Sequence, residues 1–127
     1  DELARIVNLV GPEALSSDQR WVLEGARLIR EGILQQSALD EVDAYAAPQK
    51  QFTLMDLMFH LHRQGNELLK RGIPVEVLLE LPVMARARRL KSTYSSEQVE
   101  QLAGFADEVR AAFARVYEEY QQVEPQE

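Results

Sequence analysis

Two histidines close together in the sequence are the first residues to consider as a chemical site. His60 and His62 lie two positions apart, and Asp56 lies four positions before His60. On a helix, two positions correspond to roughly 200° of rotation, so the two imidazoles do not easily face one metal ion. Asp56 and His60 share a helix face, but the segment supplies no third or fourth ligand. We interpret both histidines as structural or surface residues, with a small helical enzyme using His60 and Asp56 as the weakest alternative.

Other residue types that carry chemistry are missing or scattered. The chain contains no Cys, which excludes a disulfide framework, a thiolate zinc site and a cysteine nucleophile. Neither a Gly-Lys-Ser/Thr string nor a Gly-x-Gly-x-x-Gly string occurs, so these phosphate-binding loops are absent. Neighbouring carboxylates such as Glu118 and Glu119 are typical of a solvated helix face, and Trp21 is expected to be partly buried. From its residues, the sequence predicts a module that binds or supports something, not a self-contained catalyst.

The charge balance argues against nucleic acid and against an anionic bilayer as partners. The 127 residues carry 14 basic and 21 acidic side chains, a formal net charge of −7, and an acidic surface repels phosphate. Fully apolar runs are only a few residues long, so no direct membrane insertion is predicted, and the opening residues lack a signal-peptide pattern. The exception is a basic stretch, which we interpret as cations at a helix end that face solvent. It consists of Arg86, Arg88, Arg89 and Lys91.

Apolar residues recur at spacings of three and four along the whole chain, which is typical of amphipathic helices. They begin with a short helix over residues 3–10. No alternating run with β-branched enrichment indicates a strand. The sequence therefore predicts an all-α fold, a bundle of four main helices plus two or three short ones.

Local features predict where the helices begin and end. Ser16 is placed to cap a helix whose Gln19 bonds back to it. Gly25 and Gly32 lie inside that helix, where each costs roughly 1 kcal/mol against Ala, so we expect another element to approach closely there. The remaining predicted boundaries are Pro48 in the first turn of a long helix, Gly72 at its end, Pro82 closing a short helix, and a loop over residues 91–95 before Ser96 opens the last helix.

Three strings in the chain are specific enough to carry a family resemblance. They are IVNLVGPEAL at residues 6–15, ARLIREGILQQSALDEVDAY at residues 26–45 and GIPVEVLLELPV at residues 72–83. Their order and spacing resemble the C-terminal domain of the catalytic A subunit of V/A-type rotary ATP synthases.

The resemblance implies a mechanical role. The chain would be a single C-terminal helical domain over residues 1–127, a fragment without enzyme activity or a cofactor of its own. The phosphate loop that binds ATP or ADP with Mg would lie upstream of Asp1, an expectation that agrees with a chain starting without Met. Nucleotide-driven motion would pass to the central rotor stalk subunits. Neighbouring non-catalytic B subunits would complete a hexameric ring in a cytoplasmic complex peripheral to the membrane.

The resemblance also assigns two sets of site residues. The rotor-contact loop would hold fewer acids than the matching loop of F-type beta subunits, and its alternative interpretation is a plain connector between helices. The segment that lines the edge of the adenine pocket would have Ala38 as its best contact, while Ser37 and Leu39 replace the usual Asn and Phe, so ring stacking is lost. The loop is Glu13, Ala14, Leu15, Ser16, Ser17 and Asp18, and the adenine edge is Gln36, Ser37, Ala38 and Leu39.

The runner-up hypothesis is a free-standing helical adaptor that binds a partner helix in a groove, with no ATPase parent. The reading frame upstream of Asp1 distinguishes the two hypotheses, because only a rotary parent would place a phosphate loop a few hundred residues earlier.

Overall fold

The computed structural model describes residues 15–35 and 48–123, and within these ranges every regular element is helical. This confirms the all-α prediction, while the helix predicted over residues 3–10 lies outside the described residues. The α-helices are α1 (Ser17–Ile29), α2 (Pro48–Lys70), α3 (Val75–Leu79), α4 (Pro82–Arg88), α5 (Leu90–Thr93), α6 (Val99–Ala103) and α7 (Phe105–Val123). A π-helical segment, Arg30–Gln35, continues α1, and a 3-10 turn, Ser96–Gln98, precedes α6.

The start of α1 is a capping box, as the sequence predicts. The backbone N–H of Gln19 donates to the Ser16 hydroxyl at 3.2 Å, and the Gln19 side-chain oxygen accepts from the Ser16 N–H at 3.0 Å. Two backbone donors that the first turn would leave unpaired are thereby satisfied. A cap of this kind stabilises a helix by about 1 kcal/mol.

The end of α2 is set by the one described residue with a left-handed backbone, Gly72, whose φ is 91°. The Gly72 N–H donates to the Leu69 carbonyl at 3.0 Å, and the Ile73 N–H donates to the Leu68 carbonyl at 3.2 Å. This pair of bonds is a Schellman motif, and the buried side chains of Leu68 and Ile73 accompany it. The predicted boundary at Gly72 is confirmed.

Three boundaries in the second half of the chain differ from the prediction. Pro82 opens α4 as its first residue, where the missing N–H is tolerated, instead of closing α3. The predicted loop over residues 91–95 is wrong at its start, because α5 extends to Thr93. Ser95, one residue earlier than predicted, forms the capping box with Gln98. The last helix is also interrupted at Gly104, which separates α6 from α7.

Helix α2 lies at the centre of the fold, because α1, α6 and α7 all pack against it. It buries a stripe at helical spacing toward these neighbours. To the same core, α1 contributes Trp21 and Leu28, and α7 contributes Phe105 and Phe113. The buried stripe of α2 is Lys50, Leu54, Leu57, Met58, Leu61, Gly65 and Leu68.

Trp21 fixes the distance between α1 and α2. Its side chain is 1% exposed, so it is buried more completely than the sequence predicts. The indole N–H donates to the His62 carbonyl at 2.9 Å, and the ring stacks on the His62 imidazole with centroids 5.9 Å apart. A Cβ added at Gly65 would lie 2.1 Å from the indole, whereas one at Gly25 would lie 3.0 Å from the His62 ring. The close approach expected at Gly25 is confirmed, and the tighter one at Gly65 was missed.

Gly65→Ala will destabilise the fold because the indole has to move to admit one methyl group. We expect the free energy of unfolding to fall by about 1–3 kcal/mol, measured by urea denaturation of the 127-residue chain. Gly32→Ala is the matched control, since its Cβ would meet ordinary contacts at 3.6 Å and longer. Equal stability of the two variants would contradict this account of the α1–α2 contact.

Candidate functional site

The rotor-contact loop that the resemblance assigns is described only from residue 15 onward, and residues 13–14 lie outside the described residues. Leu15 is buried, with 7% of its surface exposed. The Ser16 hydroxyl accepts the capping hydrogen bond described above. Ser17 and Asp18 are exposed in the first turn of α1. The loop therefore presents Ser16, Ser17 and Asp18 to solvent, Ser16 also caps the helix, and the side chain of Leu15 is buried.

The first half of α1 is fastened to two other helices. Two residues beyond Asp18, Arg20 donates to the Glu76 carboxylate of α3 at 2.6 Å. The pKa of Glu76 is lowered, first by its own backbone N–H and then by the hydrogen bond from Arg20. Trp21, the next residue, is locked against α2. These two contacts join the start of α1 to α2 and α3.

Residues 36–39, which the resemblance assigns to the adenine edge, lie outside the described residues, and the chain is described up to residue 35 and again from residue 48. On the near side, the carbonyl of Ile33 accepts a hydrogen bond from the Lys91 ammonium at 2.9 Å. On the far side, the Lys50 ammonium donates to the carbonyl of Lys91 at 2.8 Å. Lys91 therefore contacts the chain both before and after the segment.

Both lysines are almost fully buried, Lys50 at 0% and Lys91 at 1% exposure. Buried ammonium groups are rare, and they persist where hydrogen bonds to oxygen compensate for the lost hydration. Lys50 lies four residues before Leu54 on the buried stripe of α2, and that spacing is the signal in the sequence by which its burial could have been found. Lys91 lies on α5, beyond the end of α4, so its spacing from the buried residues of α4 does not define a shared helix face.

The interpretation of the basic stretch as solvent-facing cations is wrong for Lys91 and incomplete for two of its arginines. Arg88 donates to the Glu24 carboxylate at 2.7 Å, and Glu24 is itself 5% exposed. Arg86 donates to the Glu108 carboxylate on α7 at 2.8 Å, which raises the pKa of the guanidinium. Arg89 is exposed, as expected. The stretch therefore cross-links α4 to α1 and α7, and α5 to the π-helical segment.

An apolar groove of about 250 Å³ lies between α1 and α2. Phe59 on its rim is 54% exposed, and Val22 on the other rim is 47% exposed. His62 is its polar lining residue. The groove is lined by Val22, Gly25, Ala26, Ile29, Met58, Phe59 and His62.

The two histidines occupy different surroundings. The pKa of His62 is lowered by burial between Trp21 and the groove. The pKa of His60 is lowered by burial first and by the positive charge of Arg110 second. The Nε2 atom of His60 is buried and makes no hydrogen bond to the described residues. Stacking on Trp21 gives His62 the structural role that the sequence favours.

Neither a metal centre nor a membrane span is found in the described ranges. No group of three or more His, Asp or Glu side chains is placed there to hold a metal ion. None of the helices in residues 15–35 and 48–123 is both long and apolar enough to cross a bilayer.

Acidification will destabilise the chain before its carboxylates titrate. Because the pKa of His62 is lowered on folding, the unfolded state takes up a proton from about pH 6.5 downward that the folded state does not. The free energy of unfolding therefore decreases as the pH falls from the ordinary pKa of histidine toward the lowered pKa of His62. We expect His62→Phe, which keeps a ring against Trp21, to reduce the loss between about pH 7.5 and pH 5.5 in urea titrations. An unchanged pH dependence would rule out this assignment.

Comparison with known sequences agrees with the resemblance. Residues 1–78 match the family described as the C-terminal domain of V and A type ATP synthase. The V-type ATP synthase alpha chain of Nitrosococcus oceani is 62% identical over 120 residues, which is 94% of this chain. The A subunit of the A-type ATP synthase of Thermococcus onnurineus is 39% identical over 94% of this chain, and that of Methanopyrus kandleri is 37% identical over 93%.

The chain spans 20% of the length of each of these relatives. The family match over residues 1–78 includes the first two strings identified in the sequence and the beginning of the third. The chain belongs to the family of C-terminal domains of V and A type ATP synthases and, within those enzymes, to the A subunit.

Proposed function

We propose that this domain transmits nucleotide-driven motion of the A subunit to the central rotor. The motion accompanies ATP synthesis or hydrolysis coupled to proton or sodium transport. The observation that carries the proposal is an exposed tip on a rigid body: Ser17 and Asp18 face solvent, while Arg20 and Trp21 just behind them are fastened to other helices. Transmission of motion needs this combination, because a tip that moved independently of the other helices would not pass their displacement to the rotor.

Rigidity behind the tip comes from packing and from ion pairs between helices. Trp21 fills the space above Gly65, so α1 cannot slide along α2 without displacing a buried indole. Farther along α1, the buried Glu24 carboxylate receives Arg88 from α4 at 2.7 Å. Together with the Arg20–Glu76 pair, these contacts join α1 to α2, α3 and α4 within about two turns of the tip.

The nucleotide belongs to the part of the A subunit outside this chain. There ATP or ADP binds with Mg, and residues 36–39 complete the edge of the adenine pocket. Ala38 is the proposed contact residue, and ring stacking from this segment is lost because Leu39 stands where the family usually has Phe. The absence of a phosphate-binding string from all 127 residues supports this division.

The partners are the central rotor stalk subunits and the neighbouring non-catalytic B subunits of a hexameric ring. The complex is cytoplasmic and peripheral to the membrane, and this domain does not insert. The names of the relatives, which are chains of ATP synthases, support these partners. The net charge of −7 supports a domain that does not insert into an anionic bilayer.

Asp18→Lys in the assembled complex will weaken the contact between tip and rotor. An exposed charge contact contributes up to about 1 kcal/mol, so we expect ATP-driven ion transport per ATP hydrolysed to fall about two- to five-fold. Transport into vesicles and phosphate release are measured on the same preparation.

Glu97→Lys is the matched control, because Glu97 is also an exposed acid in the first turn of a helix. It should leave the transport ratio unchanged. Equal loss in both variants, or no loss in Asp18→Lys, would count against the loop as the rotor contact.

The 127-residue chain alone will neither hydrolyse ATP nor bind it tightly, since phosphate groups need the loop of the upstream domain. Titration calorimetry with Mg-ATP should give no saturable heat in the micromolar range, and phosphate release should stay at the buffer rate. Micromolar affinity for Mg-ATP or ATP turnover by the isolated chain would contradict the proposal that the nucleotide binds outside this chain.

A further inference from the structure

An open cleft of about 410 Å³ lies between α2 and α7. Its floor is apolar, because Leu68 and Phe113 are only 6% and 2% exposed. Its rim carries two guanidinium groups, those of Arg71 and Arg110. The volume is more than ten times the roughly 30 Å³ that a water molecule occupies in the liquid, so the cleft accommodates a whole side chain and not only a small anion.

Arg71 is the guanidinium of this cleft that has no acidic partner in the described part of the chain. Arg110, in contrast, binds Asp107 within α7. The guanidinium carbon of Arg71 lies 4.7 Å from the centroid of the Tyr117 ring. A cation on an aromatic face is held in place while its N–H groups remain available, and the edge of a guanidinium binds a carboxylate through two parallel hydrogen bonds. Arg71 is therefore positioned to receive a carboxylate from outside the domain.

The groups around Arg71 favour an acidic visitor as well. The hydroxyl of Tyr117 accepts a hydrogen bond from the Gln121 amide at 2.7 Å, so its own proton remains to be donated. Glu67, an acid on the rim, lies 3.5 Å from the ammonium of Lys70 on the same helix. A carboxylate that enters beside Arg71 therefore meets two donors, while the acid nearby already faces a cation.

The cleft reaches the same end of the domain as the tip of α1. Helix α1 runs antiparallel to α2, because Trp21 lies against Gly65 whereas Gly25, about one turn later, lies against His62. The start of α1 is therefore level with the last turn of α2, which Arg71 follows directly.

Helix α7 runs parallel to α2. The Arg71 guanidinium lies over Tyr117. Eleven residues earlier on α2, His60 hydrogen-bonds to the backbone of Ala106, which lies eleven residues before Tyr117 on α7. The later turns of α7 therefore reach the end of the domain where α1 begins. This end presents Asp18 from α1 and Arg71 from the end of α2, and both are exposed.

We propose that Arg71, supported by Tyr117, is a second contact with the central rotor and receives an acidic side chain of a stalk subunit. The inference rests on the proposed function, because it takes the rotor-facing position of the tip from there. Asp18 offers the rotor a negative charge and Arg71 offers it a positive one. Two contacts of opposite sign favour one orientation of the rotor surface, because the reversed orientation brings like charges together.

The first test is Arg71→Gln in the assembled complex, with ion transport per ATP hydrolysed as the readout. We expect the ratio to fall about two- to five-fold, the range of an exposed charge contact. Arg71→Lys keeps the charge without the planar fork and should retain part of the ratio. Arg115→Gln is the matched control, because Arg115 is an exposed arginine of α7 outside the cleft, and it should leave the ratio unchanged.

A purely structural role of Arg71 has a different signature. Arg71→Gln would then lower the thermal midpoint of the 127-residue chain while the transport ratio of the complex stayed at the value of the unaltered enzyme. That result would refute the second contact, as would an equal fall of the ratio in Arg71→Gln and Arg115→Gln.

The second test identifies the occupant of the cleft by photocross-linking in the purified complex. Ala114 lines the cleft and is exposed, so a photoreactive phenylalanine derivative at this position should cross-link to a stalk subunit. The same derivative at Ala103, an exposed residue before the start of α7, should give no cross-link to the stalk. A cross-link from position 114 to a B subunit, or none at all, would overturn the proposal.

Asp18→Lys separates the failure of this inference from the failure of the proposed function. If Asp18→Lys lowers the transport ratio and Arg71→Gln does not, the tip remains a rotor contact and the second contact is refuted. If neither variant lowers the ratio, the proposed function fails and the inference falls with it. If only Arg71→Gln lowers it, and position 114 cross-links to the stalk, the second contact stands and the assignment of the loop is wrong.

Discussion

The contact between Trp21 and Gly65 determines how the other helices are arranged. The indole occupies the space that a side chain at position 65 would need, so the axes of α1 and α2 approach as closely as a ring on a bare backbone allows. The hydrogen bond from the indole to the His62 carbonyl then fixes the rotation of α1 about its axis. With α1 in this position, Arg20 reaches Glu76 and Glu24 receives Arg88, which brings α3 and α4 into place.

A second constraint is electrostatic and comes from buried charged groups. Two buried lysines and the buried Glu24 lie in a molecule whose net charge is negative. Each of them bonds to a residue distant in sequence, so their desolvation is compensated only in the folded arrangement. Polar contacts of this kind favour one packing geometry over similar alternatives, because only that geometry satisfies every buried charge. A uniformly apolar core discriminates less between such alternatives.

The range of each interaction along the chain decides whether the sequence predicts it. The capping box at Ser16 and the boundary at Gly72 depend on residues at most five positions apart, and both are confirmed. The burial of Lys91 depends on Ile33, 58 positions away, and the burial of Trp21 on His62, 41 positions away. The charged residues around Lys91 favoured an exposed position, and the break between α4 and α5 means that helical spacing from Ala87 could not indicate its burial. The tip of α1 was identified through resemblance, and physical reasoning from the sequence alone had no means to assign it a partner.

The π-helical segment Arg30–Gln35 sets the direction in which the chain leaves α1. A turn of this type accommodates one residue more than an α-helical turn, and each residue of an α-helix advances the chain by about 100°. Deleting a single residue at the start of this segment would restore regular winding and rotate the residues just after the deletion by that angle relative to α1. The Ile33 carbonyl, which accepts a hydrogen bond from Lys91, would then be turned away from its donor, so the wide turn is what lets α1 and α5 meet at this point.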